Sequence, residues 1–107
     1  MSDGRVFIVH NAQRFDVSDT HRFGRPVVLF TKDVYPDTSD AVGMIHIMAY
    51  VRDALKDFDP DRDSLCLIGS PVYTAVCVFV LAQQGVRRVR LLRFDRRASS
   101  YYPIDIE

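Results

Sequence analysis

The feature that most constrains the fold is a set of short apolar runs without polar alternation. Arg5–His10 reads RVFIVH, residues 26–31 read PVVLFT and residues 65–68 read LCLI. A strand with one face in water alternates apolar and polar residues, whereas a strand that is apolar on both faces must be covered on both. These runs therefore predict interior strands of a sheet that is packed on each side.

Two helices are predicted around the third run. Good N-cap residues at 38–40 precede a segment with apolar side chains at steps of three and four, which predicts a helix to about Phe58 with one buried face. Ser70 and Pro71 suit the start of a second helix, over residues 72–84. The second helix is apolar almost all round. We therefore expect it to be the most buried element.

Two more strands, at residues 89–94 and 101–106, complete the order β-β-α-β-α-β-β. The loop between them favours an antiparallel hairpin, whereas strands that alternate with helices require right-handed parallel crossovers. We predict one small Rossmann-like α/β domain over residues 1–107, with a mostly parallel sheet and a C-terminal antiparallel hairpin.

The cover required on both sheet faces leaves two arrangements open. In the first, the helices lie on opposite faces and the strands, numbered along the chain, follow a doubly wound order such as 3-2-1-4-5. An ordered loop then replaces the first helix of that fold. In the second, both helices lie on one face and a partner subunit covers the other. We expect the first.

Composition gives few functional indications. Lys plus Arg equals Asp plus Glu at 14 each, so the overall charge does not by itself indicate DNA, a membrane or an acidic partner. Cys66 and Cys77 lie inside apolar runs and are predicted to be buried free thiols. A signal-peptide pattern and an apolar run of about 18 residues are both absent. We expect a cytoplasmic protein that does not bind membranes.

Motifs for catalysis and for metal binding are missing. The chain contains no phosphate loop, no G-x-G-x-x-G and no G-x-S-x-G. Its three histidines are scattered without metal-ligand spacing, and the alternating aspartates of residues 57–63 fail the calcium-loop pattern, with Arg62 where glycine is required. We predict no catalytic residue, metal or cofactor, which favours a protein that is not an enzyme.

The sequence Gly69-Ser70-Pro71 has two interpretations. The N-terminus of a helix attracts anions, but Pro71 lacks an N–H group and Ser70 can act as an ordinary cap, so a capped helix start is the simpler one. The alternative is a nucleotide or phosphate site, with weak phosphodiesterase activity, at the edge where parallel strands end. Its residues would be His10, Asn11, Thr31, Gly69 and Ser70.

The strongest charge cluster lies in residues 87–97, which hold six arginines and one aspartate. Together with nearby tyrosines, such a cluster is typical of surfaces that bind single-stranded nucleic acid. Alternation along the strand divides the arginines between two faces, and a charged edge strand that resists aggregation is the simpler interpretation. The candidate interaction residues are Arg87, Arg88, Arg90, Arg93, Arg96, Arg97, Tyr101 and Tyr102.

Four segments carry a resemblance to a known group of proteins. They are FIVHNAQRFDVS, FGRPVVLFT, LIGSP, and VRLLRFDRR followed by Tyr102. Together they resemble short uncharacterised α/β proteins encoded by bacteriophages and prophages. The resemblance implies a mobile-element origin and a protein that binds a host or viral macromolecule rather than catalysing a reaction, and it assigns no role to any residue.

The leading hypothesis is a small non-enzymatic binding or regulatory protein. Its contacts would come from the arginine-rich strand and from the loop at residues 11–25, which is polar but carries aromatic side chains. The expected partner is another protein or a second copy of the chain. A small nucleotide is the alternative ligand, and nucleic acid is the less favoured one.

Overall fold

A computed structural model describes residues 4–11, 16–31 and 41–107. The predicted order of strands and helices is confirmed, with a short 3-10 helix, Ser18–Arg22, between the first two strands. The predicted N-cap cluster at residues 38–40 and part of the 11–25 loop lie outside the described residues. The strands are β1 (Arg5–His10), β2 (Arg25–Phe30), β3 (Ser64–Cys66), β4 (Val89–Asp95) and β5 (Ser100–Ile106), and the helices are α1 (Ala41–Ala54) and α2 (Pro71–Gln83).

Helix α1 ends earlier than the apolar pattern predicts. Its last helical residue is Ala54, and the predicted end at Phe58 falls in a turn closed by the Phe58 N–H group on the Leu55 carbonyl, at 3.1 Å. Pro60 disfavours a helical conformation at the residue before it, Asp59. The helix therefore cannot continue beyond this segment. Phe58 remains buried, so the apolar pattern gave the buried side correctly but not the helix end.

The five strands form one mixed sheet in the order β2-β1-β3-β4-β5. The pairs β1–β2, β1–β3 and β3–β4 are parallel, and β4–β5 is antiparallel, which confirms the C-terminal hairpin. The expected order 3-2-1-4-5 is wrong, because it would put β3 at an edge. All of β3 is buried, whereas β2 exposes Pro26 and Val28, and proline is tolerated on an edge strand.

The expectation that the helices lie on opposite faces is also wrong. Both helices contribute to one apolar cluster with Phe7, Leu29 and Leu65, on one face of the sheet. Parallel crossovers are right-handed. The connection from β1 to β2 moves across the sheet in the direction opposite to the two helical connections, β2–α1–β3 and β3–α2–β4. It therefore lies on the other face of the sheet. There Val17 and Phe23 pack on the second cluster: Val6, Ile8, Cys66, Ile68, Leu92 and Tyr101.

Helix α2 is not the most buried element. Tyr73 and Cys77 point into the core, but Val72 and Phe79 are 44% and 55% exposed. A helix that packs on one sheet face buries one side only, so the apolar outer side of α2 stays accessible in the single chain. Strand β1, which is buried from Val6 to His10, is covered more completely.

Ion pairs hold the edge of the sheet where the parallel strands begin. Buried Asp63 accepts hydrogen bonds from the Arg5 backbone N–H at 2.8 Å, from the Arg5 guanidinium at 2.9 Å and from the Asp59 N–H at 2.8 Å. The Asp63 carboxylate, more than any other cause, raises the pKa of Arg5. This carboxylate therefore joins the start of β1 to the turn that leads into β3.

Candidate anion-binding site

The five predicted ligand residues lie at the opposite edge, where the parallel strands end. The His10 N–H group donates to the Ile68 carbonyl at 3.0 Å, and the Asn11 N–H group donates to the Phe30 carbonyl at 3.1 Å. The ends of β3, β1 and β2 are therefore linked in that order, and Thr31 follows Phe30 directly. A binding role for the set stays a prediction.

Gly69 is required by a close crossing of two backbone segments. Its φ is +99°, and a Cβ atom there would lie 2.5 Å from the His10 Cβ and 2.6 Å from the His10 carbonyl oxygen. Only glycine combines this backbone conformation with this approach. The chain therefore leaves β3 by turning tightly over the end of β1.

His10 lies beneath this crossing. Its side chain is 5% exposed, and its ring meets the Tyr73 ring edge-on with centroids 5.3 Å apart. A general base must reach the proton that it removes. Burial under Gly69 therefore does not favour phosphodiesterase chemistry at His10.

The start of α2 is an ordinary capped helix. The Ser70 hydroxyl accepts a hydrogen bond from the Val72 N–H group at 3.2 Å, and Pro71 lies in the first turn. The cap satisfies one free N–H group, and proline removes another. The predicted cap at Ser70 is therefore confirmed, and anion binding by Gly69-Ser70-Pro71 stays a prediction. With fewer free N–H groups at the helix start, side chains are the better candidates for holding an anion.

Such side chains line a cavity where β3 and β4 separate. Their last registered pair is Cys66 with Leu92, and β4 then continues to Asp95 while β3 turns away towards β1. The gap holds a cavity of about 530 Å³, within the range of small-molecule sites. Its lining combines charged, aromatic and apolar groups: Asp16, Leu67, Ile68, Gly69, Arg93, Phe94, Arg96 and Tyr101.

The structure divides the predicted arginine cluster between the two ends of β4. At the amino end, Arg88 pairs with Asp61, and Arg90 pairs with Asp105 on β5 at 3.1 Å. At the carboxyl end, the exposed guanidinium groups of Arg93, Arg96 and Arg97 make no ion pair with any residue that the structure describes.

A second open cavity extends the site along the hairpin. It measures about 680 Å³, and the unpaired arginines line it with Phe94, Asp95 and exposed Tyr102. We call the exposed residues Arg93, Phe94, Arg96, Arg97 and Tyr102 the hairpin surface. Tyr101, which was predicted to belong to an interaction surface, is 3% exposed and packs in the second core cluster.

Tyr101 anchors the 3-10 helix against β5. Its backbone N–H donates to the Asp19 carboxylate at 2.6 Å, and its carbonyl accepts from Arg22. The hydrogen bond from the Tyr101 N–H group lowers the pKa of Asp19, with a further contribution from Arg22.

Burial, together with the neighbouring Cys66 thiol, raises the pKa of the Tyr101 phenol to about 12. The floor of the first cavity is therefore neutral at physiological pH.

Sequence reasoning missed several lining residues. Leu67 and Ile68 were assigned to strand packing because apolar letters do not show where β3 leaves the sheet. Phe94 lies in a strand, as predicted, but its exposure at the cavity is not visible in the sequence. Asp16 belongs to the 11–25 loop, but nothing in its neighbours indicates that it lines the same cavity as Arg93 and Arg96. A glycine just after an apolar run was the available signal.

Two further observations concern the described part of the chain. No group of three or more His, Cys, Asp or Glu side chains is arranged there to hold a metal ion. None of its helices is long and apolar enough to cross a membrane. The predicted free thiols are confirmed, because Cys66 and Cys77 are buried and unbridged.

Over residues 4–11, 16–31 and 41–107, fold and site together define a small α/β protein with a five-stranded mixed sheet, two helices on one face and an arginine-lined cavity beyond the carboxyl end of β3. The sequence profile of the Phage Pam3 gp32-like protein family matches residues 4–107, so the chain belongs to this family. The resemblance to phage proteins is thereby confirmed. Neither the curated proteins nor the solved structures gave a match.

Proposed function

We propose that this protein is a non-enzymatic binding protein that uses the hairpin surface to contact an acidic protein of the phage or its host. The observation that supports the proposal is a concentration of unneutralised charge. Arg93, Arg96 and Arg97 have no ion pair among the described residues and lie beside exposed Phe94 and Tyr102.

The composition of the hairpin surface is that of a contact site. Arginine and aromatic residues are enriched in protein interfaces and supply most of their energetic anchors. Arg88, just before β4, and Arg90 within it each pair with an aspartate. Arg93, Arg96 and Arg97 lie near Asp16 or Asp95 in the two cavities but form no ion pair among the described residues, which supports an external acidic group as their counterpart.

The finer fold assignment supports the same edge of the sheet. We infer a Rossmann-like arrangement for the parallel strands, whose order 2-1-3-4 is that of one doubly wound class. In such sheets ligands bind beyond the carboxyl ends of the strands, near the point where the strand order reverses. Here β1 and β3 flank that point, and Gly69 adjoins both the reversal and the arginine-lined cavity.

The proposal predicts that binding of the partner depends on the charge at the carboxyl end of β4 and not on charge elsewhere on the sheet. Immobilised protein is incubated with nuclease-treated lysate of infected and uninfected host cells, and retained proteins are quantified. In the triple variant Arg93→Glu, Arg96→Glu, Arg97→Glu, we expect retention of the partner to fall about tenfold or more, since several contacts to charged groups are lost at once.

The matched control carries the same charge change at the opposite edge. Arg25, Arg52 and Arg87 are exposed and have no ion pair among the described residues, so their replacement by Glu alters net charge equally. This control should retain the partner, and circular dichroism should show both triple variants folded. Equal loss in both variants, or equal retention, would contradict the proposal. A parallel incubation uses untreated lysate, and a partner retained from untreated lysate but not from nuclease-treated lysate would replace the proposal with nucleic-acid binding.

A further inference from the structure

The cavity between β3 and β4 has three chemically different walls. One wall is cationic, with Arg93 and Arg96, and the floor is apolar, with Ile68 and buried Tyr101. The third wall is the free edge of β4 beyond Leu92. No backbone hydrogen bond joins this edge to β3 within the described part of the chain.

Each wall favours one part of a ligand. Guanidinium groups bind phosphate oxygens through charge-assisted, bidentate hydrogen bonds. An apolar floor favours a flat ring, because contact between the two removes apolar surface from water. A free strand edge presents alternating N–H and C=O groups, which match the donors and acceptors at the edge of a nucleobase. A volume of about 530 Å³ exceeds the need of a single phosphate group.

We propose that this cavity binds a nucleoside monophosphate, with the phosphate on Arg93 and Arg96 and the base between the apolar floor and the edge of β4. Asp16 limits the charge of the ligand. Two guanidinium groups and one carboxylate leave a formal charge of +1, which suits one phosphate better than three. Gly69 also lines this cavity.

The inference does not rest on the proposed function. Arg97 and Tyr102 belong to the hairpin surface but do not line this cavity, whereas Asp16, Ile68 and Gly69 line the cavity alone. Arg97 is therefore the matched control for Arg96: it is the next residue, has the same charge and is also exposed. A variant at Arg97 can weaken capture of a protein while leaving nucleotide binding intact.

The test is calorimetric titration of the purified protein with AMP, GMP, CMP and UMP, and with ATP, inorganic phosphate and adenosine for comparison. At least one monophosphate should bind about tenfold more tightly than inorganic phosphate and than adenosine, since it engages the cationic and apolar walls together. ATP should bind no more tightly than AMP, because Asp16 opposes the additional charge.

Variants then locate the site. Arg96→Ala should weaken the best monophosphate by about tenfold or more, as expected for the loss of one charge-assisted contact, whereas Arg97→Ala should change its affinity less than about twofold. Three results would overturn the inference: no saturable binding of any nucleotide, inorganic phosphate binding as tightly as the nucleotides, or equal weakening by Arg96→Ala and Arg97→Ala.

Discussion

The two edges of the sheet differ in how they use arginine, although Arg25 and Arg87 at the first edge also have no ion pair among the described residues. Where the parallel strands begin, Arg5 pairs with Asp63 and Asp57, and Arg88 and Arg90 pair with aspartates on neighbouring elements. Where β4 ends, the hairpin surface leaves its three arginines without ion pairs among the described residues. The first edge uses charge to hold elements together, and the second keeps charge available.

The difference shows where stability and binding are separated in a small domain. Buried charge must be compensated within the fold, because removing one partner leaves the other poorly solvated. Exposed charge costs little to the fold, since water screens it. Variants at the first edge should therefore change the free energy of unfolding, and variants at the second should change affinity.

The largest effect on stability at neutral pH is expected at Asp63. Asp63→Ala removes the carboxylate that accepts hydrogen bonds from Arg5 and from the Asp59 N–H group. We expect the free energy of unfolding to fall by about 3 kcal/mol, near the lower limit for breaking a buried ion pair, because the Arg5 side chain is partly exposed and keeps Asp57. Urea denaturation at pH 7 measures the change.

Asp57 provides the control at the same edge. Its side chain is 67% exposed and contacts the same arginine at 3.2 Å, so Asp57→Ala should cost less than about 1 kcal/mol. Comparable losses at Asp57 and Asp63 would show that burial does not distinguish the two carboxylates. If the Asp63→Ala variant folds but binds the nucleoside monophosphate more weakly, the first edge would also influence binding at the second.

The next effect is a loss of stability at alkaline pH. Burial raises the pKa of both thiols, Cys66 and Cys77, to about 12, whereas an unfolded thiol ionises near pH 8.5. The thiols stay protonated in the folded state, so their contribution is complete below about pH 8 and is lost as the pH rises towards 12. Each thiol should reduce stability by up to about 1.4 kcal/mol per pH unit in that range.

Urea denaturation at pH 7, 8, 9 and 10 tests this linkage. Replacing both cysteines by alanine should flatten the decline, and a decline of unchanged slope in that variant would rule out the thiols as its cause.

The sequence predicted the elements of this fold better than their arrangement. Runs such as Val6–Val9 and residues 65–68 indicated strands covered on both faces, and the structure covers them with helices on one side and with Val17 and Phe23 on the other. Strand order depends instead on which strand can occupy the edge of the sheet. The sequence of β2 is as apolar as that of β3, so it did not indicate that Val28 of β2 is exposed.

The candidate site was predictable only in part, for a similar reason. Gly69 and the arginines were visible as residue types, but the cavity exists because β3 stops pairing with β4 after Cys66. That departure follows from the backbone crossing over His10, a tertiary contact that leaves no local pattern. Pairing of Arg88 with Asp61 is likewise a contact between distant segments, so the sequence could not show which arginines stay unpaired.

The smallest effect compares two arginines of the same strand. Arg90 lies opposite Asp105 and pairs with it, whereas Arg93 lies opposite Tyr102. Arg90→Glu should cost about 1 kcal/mol, because it replaces an ion pair by two like charges facing each other across the strands. Arg93→Glu should change the free energy of unfolding by less than about 0.5 kcal/mol, so urea denaturation in low salt should rank the two. High salt should reduce the difference by screening both charges, and a larger loss at Arg93 would mean that the carboxyl end of β4 also serves stability.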